Sequence, residues 1–236
     1  YRTILNLLIF KKCFFVFPTE KHITSTSLAK KKINSKVLPF IFNKPNFSST
    51  DLEIINNKFK LDETNLLFVG RHVPYKGVHV LIKAFKSIKN NQKVSLKIVG
   101  NGPLTKKLKI IAGNDERISF LGEVDEETLN KLYCEAHIFV LPSISRAEAF
   151  GIVQVEAMLH SCFCLSSFLD NGVNVVNKEN VSGRSFSINN ENQLKNLIIN
   201  FSEDINLRNK FMKNAFTYAL ENFASKSLLS EYKSIY

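Results

Sequence analysis

Two glutamates in the segment EAFGIVQVE are the first residues whose types and spacing could do chemistry. Glu148 and Glu156 are separated by seven residues. Gly151 lies between them and begins an apolar helical pattern, so Glu148 precedes the predicted helix and Glu156 lies about a turn and a half inside it. Because a helix rises about 1.5 Å per residue, both carboxylates can border one pocket.

The start of the same predicted helix offers a site for phosphate. The first N–H groups of a helix lack intrahelical acceptors, and those of Phe150, Gly151, Ile152 and Val153 would lie together at its N-terminus. Gly151 also lets a ligand approach the backbone closely. On spacing alone, an ordinary capped helix with two solvent-facing glutamates is the simpler interpretation, because such pairs of glutamates are common.

Short apolar strands alternate with amphipathic helices through the segment that must position these residues. This alternation predicts parallel βαβ units, and therefore an α/β fold with a doubly wound parallel sheet. A helix that begins after Asp125 carries Leu129, Leu132 and Tyr133 on one face. Predicted strands cover residues 66–70, 94–99, 118–121, 137–141 and 163–166, and other predicted helices cover residues 78–90 and 151–159.

Four glycine-rich or charged turns each follow a predicted strand. Ligands of doubly wound sheets bind beyond the carboxyl ends of the strands, so these turns should meet at one edge. They cover residues 70–76, 100–103, 122–125 and 142–151.

Composition restricts the classes of protein to which the chain can belong. The 236 residues are 44% hydrophobic and 22% charged, which argues against wholesale disorder.

The net charge of +11 favours anionic partners, and residues 1–65 carry 11 Lys/Arg against 5 Asp/Glu, which suits an anionic membrane surface. The run Lys30 to Lys32 is either a solvated helix face or a contact with acidic headgroups. No nucleic-acid-binding motif accompanies the charge, so we expect no nucleic acid partner.

The cysteines and histidines show no ligand spacing. The four cysteines fit neither a disulfide framework nor a C-x-x-C metal site. His79 and His137 lie in apolar elements and are predicted to be core histidines, whereas His72 lies in the turn after Arg71, where contact with a phosphate is the less favoured alternative.

The turns and the glutamate pair together resemble the retaining glycosyltransferases of family four (group 1), which have the GT-B fold. Residues 148–156 match the family's E-x7-E signature. Residues 68–71 followed by Lys76 and Gly77 match its G-R-x4-K-G turn, and residues 100–103 match its G-x-G-P turn. The ordered set extends over residues 66–186, about half the chain.

The resemblance implies a role for each charged residue. Arg71 and Lys76 would clamp the donor diphosphate and offset the leaving-group charge without an essential metal, so that no cofactor is expected. Glu156 would accept hydrogen bonds from the two ribose hydroxyls. Glu148 would contact the transferred sugar and stabilise an oxocarbenium-like transition state. Glu148, Arg71 and Lys76 are therefore the predicted catalytic residues.

The resemblance also implies roles for backbone groups. Gly100 and Gly102 would leave room near the nucleotide, and the N–H groups at residues 150–153 would contact the donor. The family usually carries an acidic residue where this chain has Asn174, which puts the choice of sugar in doubt.

The chain divides into four predicted segments. Residues 1–43 would be, by the resemblance, a remnant of the N-terminal acceptor domain. Residues 44–65 would be a linker, which Pro45 and the serines and threonine at 48–50 indicate. Residues 66–200 would form a Rossmann-like domain that binds the nucleotide sugar, and residues 201–236 C-terminal helices.

The function implied is transfer of a hexose-type sugar from a nucleotide-diphosphate sugar, with retention. The acceptor would be a saccharide or a lipid-linked sugar in the synthesis of a cell-surface polysaccharide such as lipopolysaccharide. We expect a cytoplasmic protein with peripheral contact at the inner face of the membrane. Because most of an acceptor domain is missing, the alternative is an inactive fragment or degenerate relative that binds the nucleotide sugar without transferring it.

Overall fold

A computed structural model describes residues 14–24, 34–90 and 92–233 of the chain. The run Lys30 to Lys32, singled out in the sequence, lies outside these residues. Within the described ranges, no helix combines the length and apolar character needed to span a bilayer.

Helices and strands alternate as expected from residue 64 onward. The strands are β1 (Phe14–Phe17), β2 (Asn34–Val37), β3 (Thr64–Val69), β4 (Val94–Val99), β5 (Ile118–Gly122), β6 (Ile138–Leu141), β7 (Phe163–Ser167) and β8 (Gly183–Phe186). The helices are α1 (Glu20–Thr24), α2 (Ser49–Lys58), α3 (Val78–Lys86), α4 (Thr105–Ala112), α5 (Glu126–Glu135), α6 (Ile152–Leu159), α7 (Gly172–Val176), α8 (Glu191–Glu203), α9 (Ile205–Phe223) and α10 (Lys226–Lys233), with a 3-10 turn at Pro74–Lys76.

Six parallel strands form the main sheet in the order β5-β4-β3-β6-β7-β8. The chain runs outward from β3 to β5 and then returns to place β6 on the other side of β3. The order therefore reverses between β3 and β6, where a doubly wound sheet opens its ligand crevice. The predicted doubly wound α/β fold is confirmed, and β1 and β2 form a separate parallel pair.

The sheet is buried on both faces. Leu66, Leu67 and Phe68 are consecutive in β3 and all lie in the core, as expected for a central strand covered by helices on each side. The edge strand β5 instead alternates between exposed and half-buried residues. Helix α3 contacts α4 and α8, whereas α2 contacts α5 and α6 contacts α9.

The segment expected as a linker contains a folded helix. Ser48 begins α2 with a capping box, in which its hydroxyl accepts from the N–H of Asp51 and the Asp51 carboxylate accepts from the N–H of Ser48. The serines that suggested a linker are therefore a helix start. At the other end, Lys58 is 1% exposed and donates to the carbonyls of Ala136 and His160, which ties α2 to the main domain.

Strand β2 ends at Val37, because Pro39 has no N–H to continue the ladder. One other predicted boundary differs in the structure. The helix expected over 78–90 ends at Lys86, where the N–H of Ile88 turns to the carbonyl of Phe85 in a tighter, 3-10-like bond. Beyond β2, the N–H of Phe42 donates to the carbonyl of Phe223 at the end of α9.

Candidate active site

The turns after β3 and β6 pack against each other at the point where the strand order reverses. The N–H of Ile144 donates to the carbonyl of Tyr75 at 2.8 Å. Gly77 has φ of 64°, and a Cβ at this position would lie 2.0 Å from the carbonyl oxygen of Pro142. Glycine is therefore required here on both grounds, and its absence of a side chain lets the two turns meet.

This contact brings Lys76 and Glu148 together. Lys76 Nζ donates to Glu148 Oε2 at 2.5 Å, and Ser143 Oγ donates to the same oxygen at 3.1 Å. The side chains of Lys76 and Glu148 are only 12% and 11% exposed. The two predicted catalytic residues thus form a charged pair largely shielded from water, where charges act more strongly than at the surface.

The loop after β7 supports the backbone of Glu148. Asn171 Nδ2 donates to the carbonyl of Glu148 at 2.6 Å. Asn174 Oδ1 accepts from the N–H groups of Leu169 and Asp170, which holds this loop in place. An asparagine at position 174 therefore supplies the hydrogen-bond acceptors of a carboxylate but no charge.

The N-terminus of α6 begins beside Glu148. Gly151 is the N-cap residue, with φ of 72°. Among the described residues, the N–H groups of Phe150, Gly151, Ile152 and Val153 donate to no protein acceptor. The Phe150 side chain is 4% exposed and packs edge-on against Phe40 at 4.9 Å, so only its backbone could serve a ligand.

A cavity of about 600 Å³ opens where β3, β4 and β5 end. Arg71 lies on its wall with an exposed side chain. A Cβ on Gly100 would lie 2.2 Å from the Gly70 oxygen, and one on Gly102 would lie 2.6 Å from the His72 oxygen. These glycines are thus required by the packing of one turn on the next, and making room for the nucleotide remains a prediction. The lining residues are Val69, Gly70, Arg71, Val99, Gly100, Asn101, Gly102, Glu123, Val124 and Leu129.

Glu156 does not line this cavity. It is half-buried on α6, and its Oε2 accepts from the Tyr133 hydroxyl at 3.0 Å. Tyr133 follows Leu129, a cavity-lining residue, by one turn of α5 and lies on the same helix face. The carboxylate is therefore connected to the cavity through α5.

A second cavity, of about 560 Å³, is lined by residues just before and just after Glu148 in the chain and was not predicted from the sequence. Arg146 donates to the Asp170 carbonyl at 2.9 Å, and Lys21 forms an ion pair with the Asp170 carboxylate. No spacing in the sequence links Lys21 to residues 146–172, because only folding brings them together. The lining residues are Lys21, Thr24, Arg146, Ala149, Asp170, Asn171 and Gly172.

The histidines match the predictions only in part. His137 is fully buried, as predicted, and burial lowers its pKa to about 3. His79 is only half-buried and lies in a surface groove, so its assignment to the core was wrong; its place in the first turn of α3 leaves it at the rim. His72 is fully buried, bonds Thr105 through Nδ1 at 2.9 Å and is not among the residues that line the cavity.

Cys134, Cys162 and Cys164 are buried free thiols. Across residues 14–24, 34–90 and 92–233, no group of three or more His, Cys, Asp or Glu side chains could hold a metal ion.

Comparisons with known proteins match most of the chain. Residues 50–218 match the family model described as glycosyl transferases group 1. The chain is 29% identical over 244 residues to an uncharacterized glycosyltransferase of Methanocaldococcus jannaschii, covering 100% of the chain and 61% of that protein. It is 24% identical over 215 residues to the O-antigen chain mannosyltransferase C of Escherichia coli, covering 90% of the chain and 57% of that protein. The chain therefore spans about 60% of the length of these relatives.

Solved structures show the same fold. The Anabaena protein HepE, crystallised with UDP and glucose, matches 99% of the chain and 65% of its own length, with a TM-score of 0.79 and 20% identity. The solved structures to which the chain is similar are GT-B glycosyltransferases.

Proposed function

The chain belongs to the glycosyl transferases group 1 family, and from that premise we propose that it binds a nucleotide-diphosphate sugar and transfers a hexose-type sugar with retention. The observation that carries this proposal is the shielded pair of Lys76 and Glu148, which lies beside the unpaired N–H groups at the start of α6. One cation, one carboxylate and a helix N-terminus together suit a phosphate that leaves a sugar.

In this proposal the diphosphate lies between the cavity and the N-terminus of α6. Arg71 approaches it from the cavity wall, Lys76 from the turn after β3, and the N–H groups of residues 150–153 from α6. These donors stabilise the negative charge that develops on the leaving group. No essential metal is required, and full activity in the presence of a chelator would support this.

Glu148 acts electrostatically. As the sugar acquires oxocarbenium character, the carboxylate stabilises its positive charge, while Lys76 and Ser143 hold the carboxylate in place. Retention then follows from attack on the face from which the phosphate departs, with the phosphate assisting the acceptor. A double displacement through Glu148 as nucleophile is the competing route.

The acceptor is a saccharide or a lipid-linked sugar, bound on the side of the second cavity. The basic side chains Lys21 and Arg146 in that cavity, together with the net charge of +11, suit an acceptor or membrane surface that carries negative charge. The similarity to an O-antigen chain mannosyltransferase supports cell-surface polysaccharide synthesis. We place the protein at the cytoplasmic face of the membrane.

A nucleotide-sugar-binding fragment without transferase activity is the second candidate. The two candidates share donor binding and differ only in turnover.

Calorimetric titration of the chain with UDP, GDP and dTDP, each free and sugar-linked, tests the feature common to both. We expect one base to bind at micromolar concentration, and no binding of any diphosphate would overturn both candidates. With the base known, release of the diphosphate in the presence of saccharide acceptors distinguishes an enzyme from a binding fragment. The NMR signal of the anomeric proton in the product then reports retention or inversion.

A further inference from the structure

We propose that Tyr133 is a positioning residue for the donor nucleotide, whose buried hydroxyl holds the Glu156 carboxylate ready to receive the ribose diol. The inference rests on the proposed function, because it takes Glu156 as the ribose-binding residue. Its basis is the hydrogen bond of 3.0 Å from the Tyr133 hydroxyl to Glu156 Oε2, which joins α5 to α6.

The direction of this hydrogen bond is unambiguous. Tyr133 is 2% exposed, and burial together with the charge of Glu156 raises the pKa of its phenol well above the usual value. The hydroxyl therefore remains protonated and donates its single proton to the carboxylate. A glutamate carboxylate can only accept a hydrogen bond, so Tyr133 is the donor in this contact.

The ring of Tyr133 packs against two neighbouring rings. It stacks on the ring of His160 with centroids 5.3 Å apart and planes inclined by 24°. The centroid of the Tyr133 ring also lies 6.2 Å from that of Phe139. His160 is itself bound to the backbone of Glu156, since its Nδ1 donates to that carbonyl at 2.7 Å. The hydroxyl is thus fixed relative to the helix that carries its acceptor.

One hydrogen bond to Oε2 leaves Glu156 enough capacity for a diol. A carboxylate has about four lone-pair positions, so at least two remain for the 2′- and 3′-hydroxyls after Tyr133 has donated. A glutamate on a helix surface would otherwise sample several rotamers and lose that freedom on binding. Tyr133 removes this entropic cost before the nucleotide arrives.

The position of α5 connects the pair to the nucleotide cavity. Leu129 lines the cavity one turn before Tyr133 on the same face of the helix. An approaching nucleotide would therefore contact Leu129, and its ribose would reach the carboxylate that Tyr133 holds.

The test compares ribose and deoxyribose nucleotides on matched variants. UDP, GDP and their 2′-deoxy analogues are titrated into the wild-type chain and into the variants Tyr133→Phe and Tyr218→Phe. The second variant is the control, because Tyr218 also donates its phenolic hydrogen to one acceptor, the carbonyl of Val175, at 3.2 Å. Melting temperatures of all three proteins report any general loss of stability.

We expect the wild-type chain to prefer the ribonucleotide, since the 2′-deoxy form leaves part of Glu156 unpaired. Tyr133→Phe should weaken binding of the ribonucleotide about 10-fold, the magnitude associated with one hydrogen bond to a charged group. Binding of the 2′-deoxy form should fall less, so that discrimination between the two sugars narrows. Tyr218→Phe should leave both affinities and their ratio unchanged.

Three results would overturn the proposal. If Tyr133→Phe keeps the wild-type affinities, or weakens both nucleotides by the same factor, the hydroxyl does not position Glu156 for ribose. If the wild-type chain binds UDP or GDP without discriminating against the 2′-deoxy form, the ribose assignment of Glu156 itself fails. If no nucleotide binds to the wild-type chain, the proposed function fails as well. This result differs from the first two, in which nucleotides still bind.

Discussion

Lys76 Nζ lies 2.5 Å from Glu148 Oε2, although 72 positions separate the two residues in the chain. A pair this shielded from water is weak evidence for stability, because the cost of desolvating two charges can exceed their attraction. Its position beside the start of α6 indicates a functional reason instead. We infer that Lys76 holds the Glu148 carboxylate in place beside the donor phosphate.

Replacement of Glu148 by glutamine should abolish most transfer while leaving nucleotide binding intact. The amide has nearly the same shape but no charge to stabilise the oxocarbenium-like sugar. We expect turnover to fall by about 10²- to 10³-fold, with the affinity for free UDP or GDP changed by less than about 3-fold. Glu179→Gln is the control, since Glu179 is an exposed glutamate paired with Arg184. Near-normal turnover in Glu148→Gln would show that its charge has no catalytic role.

Acidification should destabilise the fold through His137. Asn65 N–H donates to its Nδ1, and its Nε2 donates to the Lys58 carbonyl, so a second proton on Nδ1 would face another donor. Burial, followed by the charge of Arg208, lowers its pKa from 6.5 to about 3. As the pH falls below 6.5, His137 becomes protonated in the unfolded chain but stays neutral in the folded chain until the pH approaches 3. The part of the free energy of unfolding that is present above pH 6.5 is therefore progressively lost.

Each pH unit in that window should cost about 1.4 kcal/mol from this group. Urea unfolding at a series of pH values between about 5 and 7.5 measures the slope. His137→Gln should flatten it, whereas His79→Gln, at a half-buried site, should change it less. Equal slopes in the wild-type chain and His137→Gln would show that His137 is not responsible for the loss of stability at low pH.

Helix α2, in the segment predicted to be a linker, should contribute to the stability of the whole domain. Ser48→Ala removes the side-chain half of the capping box and should lower the free energy of unfolding by about 1 kcal/mol. Ser49→Ala, one residue later and inside the helix, should change it by less than about 0.5 kcal/mol. Urea unfolding measures both variants. If neither variant lowers the free energy of unfolding, α2 unfolds separately from the sheet.

The glycines of the second turn should matter even without a nucleotide. A Cβ at Gly102 would lie 2.6 Å from the backbone oxygen of His72, so Gly102→Ala should lower the free energy of unfolding by about 1–3 kcal/mol. Gly122→Ala meets no atom within 4 Å and carries only the strain of its φ of 71°, about 1 kcal/mol. If Gly102→Ala melts like the wild type but binds nucleotide poorly, the glycine makes room for a ligand, as the family resemblance suggested.

Much of the fold is predictable from periodicity. The apolar strands and amphipathic helices from residue 66 onward predict the parallel sheet, because such runs can be buried only between layers of helix. Boundaries are less predictable. Ser48 suggested a linker because serine favours both turns and helix starts, and only the reciprocal bonds with Asp51 distinguish the two.

The amino-acid sequence by itself determined the family, the parallel sheet and the identity of the charged residues near the crevice, since spacing and side-chain chemistry are local properties. Only the tertiary structure decided their partners. The contact of Gly77 with Pro142 brings Lys76 to Glu148, and the fold brings Tyr133 of α5 within hydrogen-bond distance of Glu156 of α6. Such pairs depend on which strands become neighbours and on how closely two backbones approach where a glycine lacks a Cβ. The spacing of residues along the chain determines neither.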